Sequence, residues 1–227
     1  MNLLVTVGAA MLVRKHAPIL ALLLLGGCAQ QAGVPLRPAK QEEVIFTRYS
    51  PLSCSEEIAR RTLTPLTFSR GQQALAAKGE TLKEQSIDLS KEKFSVYVPA
   101  RAAPANGYGL LVFIPPWSEP TRPNVWRPPL DRHALIFVAA ENSGNEATIL
   151  DRRLPLALLA YENVRAQYPI DPARVYVGGL SGGSKAALVT ALAYPDVFRG
   201  ALLNAGSEPI GGEEGIYLPP ADLFRDS

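Results

Sequence analysis

A serine flanked by glycines is the feature of this sequence best suited to do chemistry. Gly179, Ser181 and Gly183 form a G-x-S-x-G pattern between a strand-like run at 174–178 and a helix-like run at 184–194. A turn this tight between a strand and a helix strains the residue at its apex and raises the serine hydroxyl above the carboxyl edge of the sheet. The pattern therefore predicts a serine nucleophile.

The residue after the serine strengthens this interpretation. The backbone N–H of Gly182, at the N-terminus of the predicted helix, is placed to stabilise the oxyanion of an acyl-transfer intermediate. The alternative is a glycine-rich turn that only packs, or that holds a phosphate while Ser181 caps the helix. A Walker-type phosphate loop does not fit, because Lys185 is not preceded by glycine and followed by Ser or Thr.

Strand-like and helix-like runs alternate around this serine. Short apolar or alternating runs predict strands, and a stripe of apolar residues at three- or four-residue spacing from Leu150 to Tyr168 predicts a helix that tolerates Pro155 near its start. The predicted strands are 94–98, 108–114, 134–140, 174–178 and 201–203, and the helices are 55–61, 71–83, 150–168 and 184–194. This order predicts an α/β domain with a mostly parallel sheet between layers of helices.

The sequence around the turn at 179–183, called the elbow below, resembles a known family. The runs IDPARVYVGGLSGG at 170–183 and AYPDVF at 193–198 resemble α/β-hydrolase esterases of the polyhydroxybutyrate-depolymerase and feruloyl-esterase kind. The resemblance implies a three-layer α/β-hydrolase fold and a Ser-Asp/Glu-His triad in that chain order, with no metal and no cofactor. Ser181 matches the nucleophile of that family, and Gly182 matches its first oxyanion donor.

The loop after the 108–114 strand departs from the family pattern. Many members carry a His-Gly pair there, and its backbone supplies the second oxyanion donor. This sequence has Pro115-Pro116-Trp117-Ser118. Proline has no N–H to donate, so the available backbone donor is that of Trp117 or Ser118, and Trp117 is the candidate. Its alternative role is that of an aromatic lid or packing residue.

Histidine is the second departure. The sequence contains only His16 and His133, and neither follows Ser181. Without a base the serine hydroxyl is a poor nucleophile at neutral pH. We expect His133 to be exposed beside a strand, and Asp222 and Asp226 to lie in a solvated C-terminal end. The sequence thus predicts a hydrolase-like fold that lacks its last strands, acid and base, and that alone would not turn over an ester.

The N-terminal segment has the pattern of an export signal. Positive residues at 14–16 precede a short apolar run at 17–25, which is too short to span a bilayer. Leu25-Gly26-Gly27-Cys28 resembles the lipobox of bacterial lipoproteins, which implies acylation of Cys28. By the same resemblance, Ala29 favours export to the outer membrane, facing the periplasm. Met11 is an alternative start.

These features predict three segments: a signal at 1–28, a tether at 29–48 and an incomplete hydrolase domain at 49–227. Acylation of Cys28 would leave Cys54 unpaired, and we expect Cys54 to be a small, partly buried apolar residue. Lys and Arg total 23 against 21 Asp and Glu, and the excess lies before Cys28. A nearly neutral mature chain offers no electrostatic surface for nucleic acid.

Two functions fit these observations. The first is a lipid-anchored carboxylic ester hydrolase of the serine-esterase type, acting on a small-molecule ester and attached to the membrane through its lipid. The second is a non-catalytic envelope lipoprotein that uses a hydrolase-like cleft for binding. The reactivity of Ser181 distinguishes them.

Overall fold

A mixed β-sheet forms the centre of the structure, a computed structural model that describes residues 41–120 and 122–207. Within these residues the sheet has six strands in the spatial order β1-β2-β4-β3-β5-β6. Strands β3, β4, β5 and β6 run parallel, whereas β2 is antiparallel to both β1 and β4. The strands are β1 (Gln41–Ile45), β2 (Lys93–Tyr97), β3 (Tyr108–Ile114), β4 (Leu135–Ala140), β5 (Ile170–Leu180) and β6 (Gly200–Asn204).

Five α-helices accompany the sheet in the same described residues: α1 (Ser55–Thr62), α2 (Pro65–Ala76), α3 (Arg127–His133), α4 (Leu154–Gln167) and α5 (Gly182–Ala193). Helix α4 has Pro155 in its first turn, where the missing N–H breaks no helical hydrogen bond. A π-helical turn, Ile149–Arg153, leads into it. Among the helices of residues 41–120 and 122–207, none has both the length and the apolar character that crossing a bilayer requires.

The two faces of the sheet carry separate apolar clusters, because successive side chains of a strand point to opposite faces. In β3, Leu110 and Val112 pack with the apolar residues of α4 and α5. Leu111 and Phe113 point the other way and pack with Leu130 of α3. The parallel strands are therefore buried on both faces, which explains their nearly continuous apolar sequences.

Helices on both faces of a mostly parallel sheet give three layers. Helix α3 connects β3 to β4 on one face, and α4 and α5 connect β4 to β5 and β5 to β6 on the other. The α/β-hydrolase-like fold predicted from the sequence is confirmed. The prediction that its last strands are missing concerns residues after 207, which lie outside the described part of the chain.

The folded domain begins before residue 49, the start expected from the sequence. Residues 41–45 form β1 rather than a tether, and Phe46 is buried with its ring 4.6 Å from that of Phe94. The strand was not recognised because its polar residues do not alternate clearly and because Glu43 has a φ of 62° at an irregularity in the β1–β2 pairing.

Two helices also differ from the prediction. The second begins at Pro65 and ends at Ala76, whereas 71–83 was predicted. Its start is set by Thr64, whose Oγ1 accepts a hydrogen bond from the N–H of Thr67. Helix α3 is absent from the predicted helices, and its prolines occupy the first turn, where they are tolerated.

Candidate active site

Ser181 lies at the sharp turn between β5 and α5, at the carboxyl edge of the parallel strands. Its φ of 53° and ψ of −121° are unusual for a residue with a side chain. Such a conformation costs on the order of 1–3 kcal/mol and persists only where the surroundings enforce it. The strained turn predicted from the G-x-S-x-G spacing is therefore present, and Ser181 is exposed at its apex.

The two flanking glycines permit the turn because no Cβ fits at either position. A Cβ on Gly179 would overlap the carbonyl group of Gly183. A Cβ on Gly183 would overlap the carbonyl oxygen of Ile114, at the end of β3. The elbow backbone thus packs directly on itself and on the neighbouring strand.

Ser184 secures the elbow to the next strand. It is fully buried, and its Oγ lies 2.8 Å from the carbonyl oxygen of Gly179 and 2.7 Å from that of Asn204. The same oxygen accepts the N–H of Asn204 at 2.9 Å, while the N–H of Ser181 donates to the Asn204 carbonyl at 2.8 Å. Ser184 was not among the residues predicted for the site. A hydroxyl residue in the first turn of a largely apolar helix was the available signal.

The first N–H groups of α5 belong to the residues that directly follow Ser181. Among the described residues, no backbone carbonyl accepts a hydrogen bond from the N–H of Gly182 or Gly183. Unpaired N–H groups at the start of a helix, together with its dipole, favour a negative charge placed beside them. The geometry at Gly182 is thus suited to hold an oxyanion next to Ser181.

The loop after β3 reaches this edge through contacts with the loop after β4. The N–H of Asn145 donates to the Pro116 carbonyl at 3.0 Å, and the N–H of Asn142 donates to that of Ser118 at 2.8 Å. A Cβ on Gly144 would lie 2.6 Å from the Trp117 carbonyl carbon, so the two backbones touch. Trp117 itself is 39% exposed.

Arg153 connects the loops after β3 and β4 through hydrogen bonds. It is buried, and it donates from Nη2 to the Pro115 carbonyl at 3.0 Å and from Nε to the Ser143 carbonyl at 2.9 Å. Among the described residues no carboxylate pairs with it. Burial lowers the pKa of Arg153 from its usual value. This role could not be predicted from the sequence, because it depends on two loops that meet only in the fold.

The other candidate residues lie elsewhere. His133 is exposed at the end of α3, just before β4, and is therefore at the edge of the parallel strands opposite Ser181. Cys54 is half-buried and unpaired, as expected. Cys28, Asp222 and Asp226 lie outside the described residues. Residues 41–120 and 122–207 contain no group of His, Cys, Asp and Glu side chains that could hold a metal ion.

A groove of about 490 Å³ lies away from this turn. Its walls come from α1, α2 and the segment after α2, and include Cys54, Glu56, Gln72 and Glu84. None of the G-x-S-x-G residues lines it. The groove is therefore separate from the turn that carries Ser181.

Comparison with curated proteins confirms the resemblance to depolymerase-type esterases, although no family model matches the chain. Poly(3-hydroxyalkanoate) depolymerase C of Paucimonas lemoignei is 53% identical over 45 residues, which are 20% of this chain and 11% of the relative. Poly(3-hydroxybutyrate) depolymerase of Ralstonia pickettii is 48% identical over 44 residues, 19% of this chain and 9% of the relative. The matched segment is thus only about a tenth of each relative's length.

Solved structures that superpose on the chain include esterases. An acetyl xylan esterase from Aspergillus awamori aligns with a TM-score of 0.39 and 19% identity, over 52% of this chain and 49% of its own. A butyrate-bound esterase from Thermogutta terrifontis aligns with a TM-score of 0.42 and 22% identity, over 60% and 56% of the two chains. The strand order and the elbow define the fold independently of these superpositions.

Proposed function

We propose that this chain carries the nucleophile of a carboxylic ester hydrolase of the serine-esterase type. The observation that supports the proposal best is the strained, exposed Ser181 between β5 and α5, beside N–H groups that no described carbonyl occupies. Two depolymerases of polyhydroxyalkanoates, which are polyesters, are 53% and 48% identical to this chain over about a fifth of its length. A small-molecule ester of a carboxylic acid is the proposed substrate.

In the proposed reaction, Ser181 Oγ forms a bond to the ester carbonyl carbon while its proton passes to a base of the imidazole type. The carbonyl oxygen becomes an oxyanion beside Gly182 N–H, with Trp117 N–H as the proposed second donor. Collapse of this intermediate breaks the bond to the alcohol oxygen, which takes the proton from the base. Water then attacks the acyl-serine in the same way, and the acid and the free serine are released.

The base is not among the residues described near Ser181. His133 lies at the opposite edge of the sheet, and His16 lies outside the described residues. This placement favours the second candidate function, in which the chain binds a ligand at the elbow without turnover. The two functions predict different effects of an added base on the rate of ester hydrolysis.

Added imidazole tests this difference on the 227-residue chain. We expect imidazole to raise the rate of p-nitrophenyl butyrate hydrolysis above the rate that imidazole alone gives in solution. Ser181→Ala should remove the increment, whereas Ser69→Ala, which removes an exposed hydroxyl from α2, should keep it. An increment that survives Ser181→Ala, or no increment at all, would favour the binding function.

We further propose that the chain is exported and anchored to the cell envelope, in the outer membrane facing the periplasm, by acylation of Cys28. The support is the lipobox-like run that ends at Cys28 and the alanine that follows it. Metabolic labelling with a palmitate analogue should modify the chain, and Cys28→Ala should abolish the label. Cys54→Ala is the matched control and should remain labelled. A labelled Cys28→Ala variant would contradict the anchor.

A further inference from the structure

We propose that the side-chain amide of Asn145 donates a hydrogen bond to the oxyanion formed at Ser181. The inference rests on the proposed ester-hydrolase function and assigns a catalytic residue that the elbow motif does not contain. It would give the oxyanion a donor from the loop after β4, in addition to the N–H of Gly182.

The position of the carboxamide is the main observation. It lies against Gly182, the residue that follows Ser181. A Cβ built on Gly182 would be 2.9 Å from Asn145 Cγ and 3.3 Å from Nδ2, with Oδ1 nearer still. Rotation of the amide by 180° about its last bond exchanges the oxygen and the nitrogen without changing the space they fill. A donor can therefore be presented beside Gly182, next to Ser181 in the chain.

The carboxamide is also available. Asn145 is exposed, and no described residue forms a hydrogen bond with its side chain. Its backbone, in contrast, is fixed by the hydrogen bond from its N–H to the Pro116 carbonyl. A side chain on a fixed backbone that has no partner of its own can be aimed at a ligand without first breaking a protein contact.

The composition of the loop after β3 explains why a side-chain donor would be needed. Pro115 and Pro116 follow β3 and have no N–H to offer. Arg153 binds the carbonyls of Pro115 and Ser143, so the loops after β3 and β4 are held together two residues before Asn145. A side-chain amide from the second loop can thus provide what the prolines of the first cannot.

Binding of a tetrahedral analogue tests the assignment without requiring turnover. Butaneboronic acid, which adds to an activated serine to give a tetrahedral anion, would be titrated into the full chain in the presence of imidazole and followed by ¹¹B NMR. We expect Asn145→Ala to weaken binding tenfold or more, since loss of one oxyanion donor costs about 10²–10³ in rate in a well-studied protease. Asn145→Asp should weaken it further, because a carboxylate repels the anion.

Two controls make the outcomes distinct. Asn106→Asp adds the same charge in the exposed loop before β3, at the far edge of the sheet, and should bind as the unmodified chain does. Ser181→Ala should abolish the adduct. If the adduct depends on Ser181 but Asn145→Ala and Asn145→Asp bind normally, the inference is overturned and the proposed function stands. If the unmodified chain forms no adduct, both are overturned.

Discussion

Two buried arginines, Arg61 and Arg153, hold different regions of the molecule by different means. Arg61 pairs with the carboxylates of Glu57 and Asp196 and lies over the ring of Tyr194, 4.3 Å from its centre. Arg153 binds only carbonyl oxygens of two loops beside the elbow. The charge of Arg61 is balanced by carboxylates, whereas Arg153 keeps a positive charge, with which no described carboxylate pairs, close to the place where we propose that a negative charge develops.

The pKa directions of the two side chains agree with this contrast. Burial opposes the charge of Arg61, but its hydrogen bonds to Asp196 and Glu57, together with their charges, raise its pKa. For Arg153 burial is the only cause, and it lowers the pKa. We infer that Arg61 fastens α1 to the end of α5 for stability, and that Arg153 positions the loops at the site.

Replacement of Arg61 should have the largest effect on stability. Arg61→Met leaves Glu57 and Asp196 facing a partly buried space, and loss of one partner from a buried pair costs about 3–5 kcal/mol. We expect about 3 kcal/mol in urea unfolding, because Asp196 is partly exposed. Boronate binding at Ser181 by the remaining folded protein should not change. A loss below about 1 kcal/mol would mean that the ion pairs contribute little.

Ser184→Ala should come next. It removes the hydroxyl that links Gly179 to Asn204 and leaves the Asn204 N–H without its acceptor, at a cost of about 2 kcal/mol. Boronate binding should also weaken, because β6 no longer fixes the turn. Thr190→Val is the matched control: it removes a buried hydroxyl that binds only the Ala186 carbonyl and should leave binding intact.

Arg153→Met should weaken boronate binding at a small cost in stability, whereas Arg61→Met should reduce stability and leave binding unchanged. The carbonyls of Pro115 and Ser143 lose their donor, but an unpaired buried charge is also removed, so we expect a cost of only about 1–2 kcal/mol. Boronate binding should fall tenfold as the loops separate. Unchanged binding with a large loss of stability would show that Arg153 serves the core alone.

The smallest effect concerns pH. The hydrogen bond from Arg60, ahead of that from Arg61, lowers the pKa of Glu57 below its usual 4.5. The stability this provides is present above pH 4.5 and is lost as the pH falls through the lower value of the folded state. Glu57→Gln should remove this part of the acid sensitivity, by less than about 1 kcal/mol in urea unfolding at each pH. Identical pH profiles would contradict the shift.

The sequence predicted the elbow and the parallel strands because their signals are local. G-x-S-x-G encodes a tight turn, and the continuous apolar runs of β3 and β4 encode strands buried on both faces. It did not reveal Arg153 or Asn145, whose roles arise where loops more than 25 residues apart in sequence meet. It also missed α3, because prolines that begin a helix resemble those of a loop.

Covalent labelling tests most directly whether Ser181 is a nucleophile. The full chain would be treated with a fluorophosphonate in the presence of imidazole, digested, and mapped by mass spectrometry. We expect one phosphonylated peptide, modified at Ser181, and no adduct in Ser181→Ala, while Ser69→Ala is labelled like the unmodified chain. A chain that stays unlabelled, or a label that persists after Ser181→Ala, would contradict the claim that this strained turn displays a reactive serine.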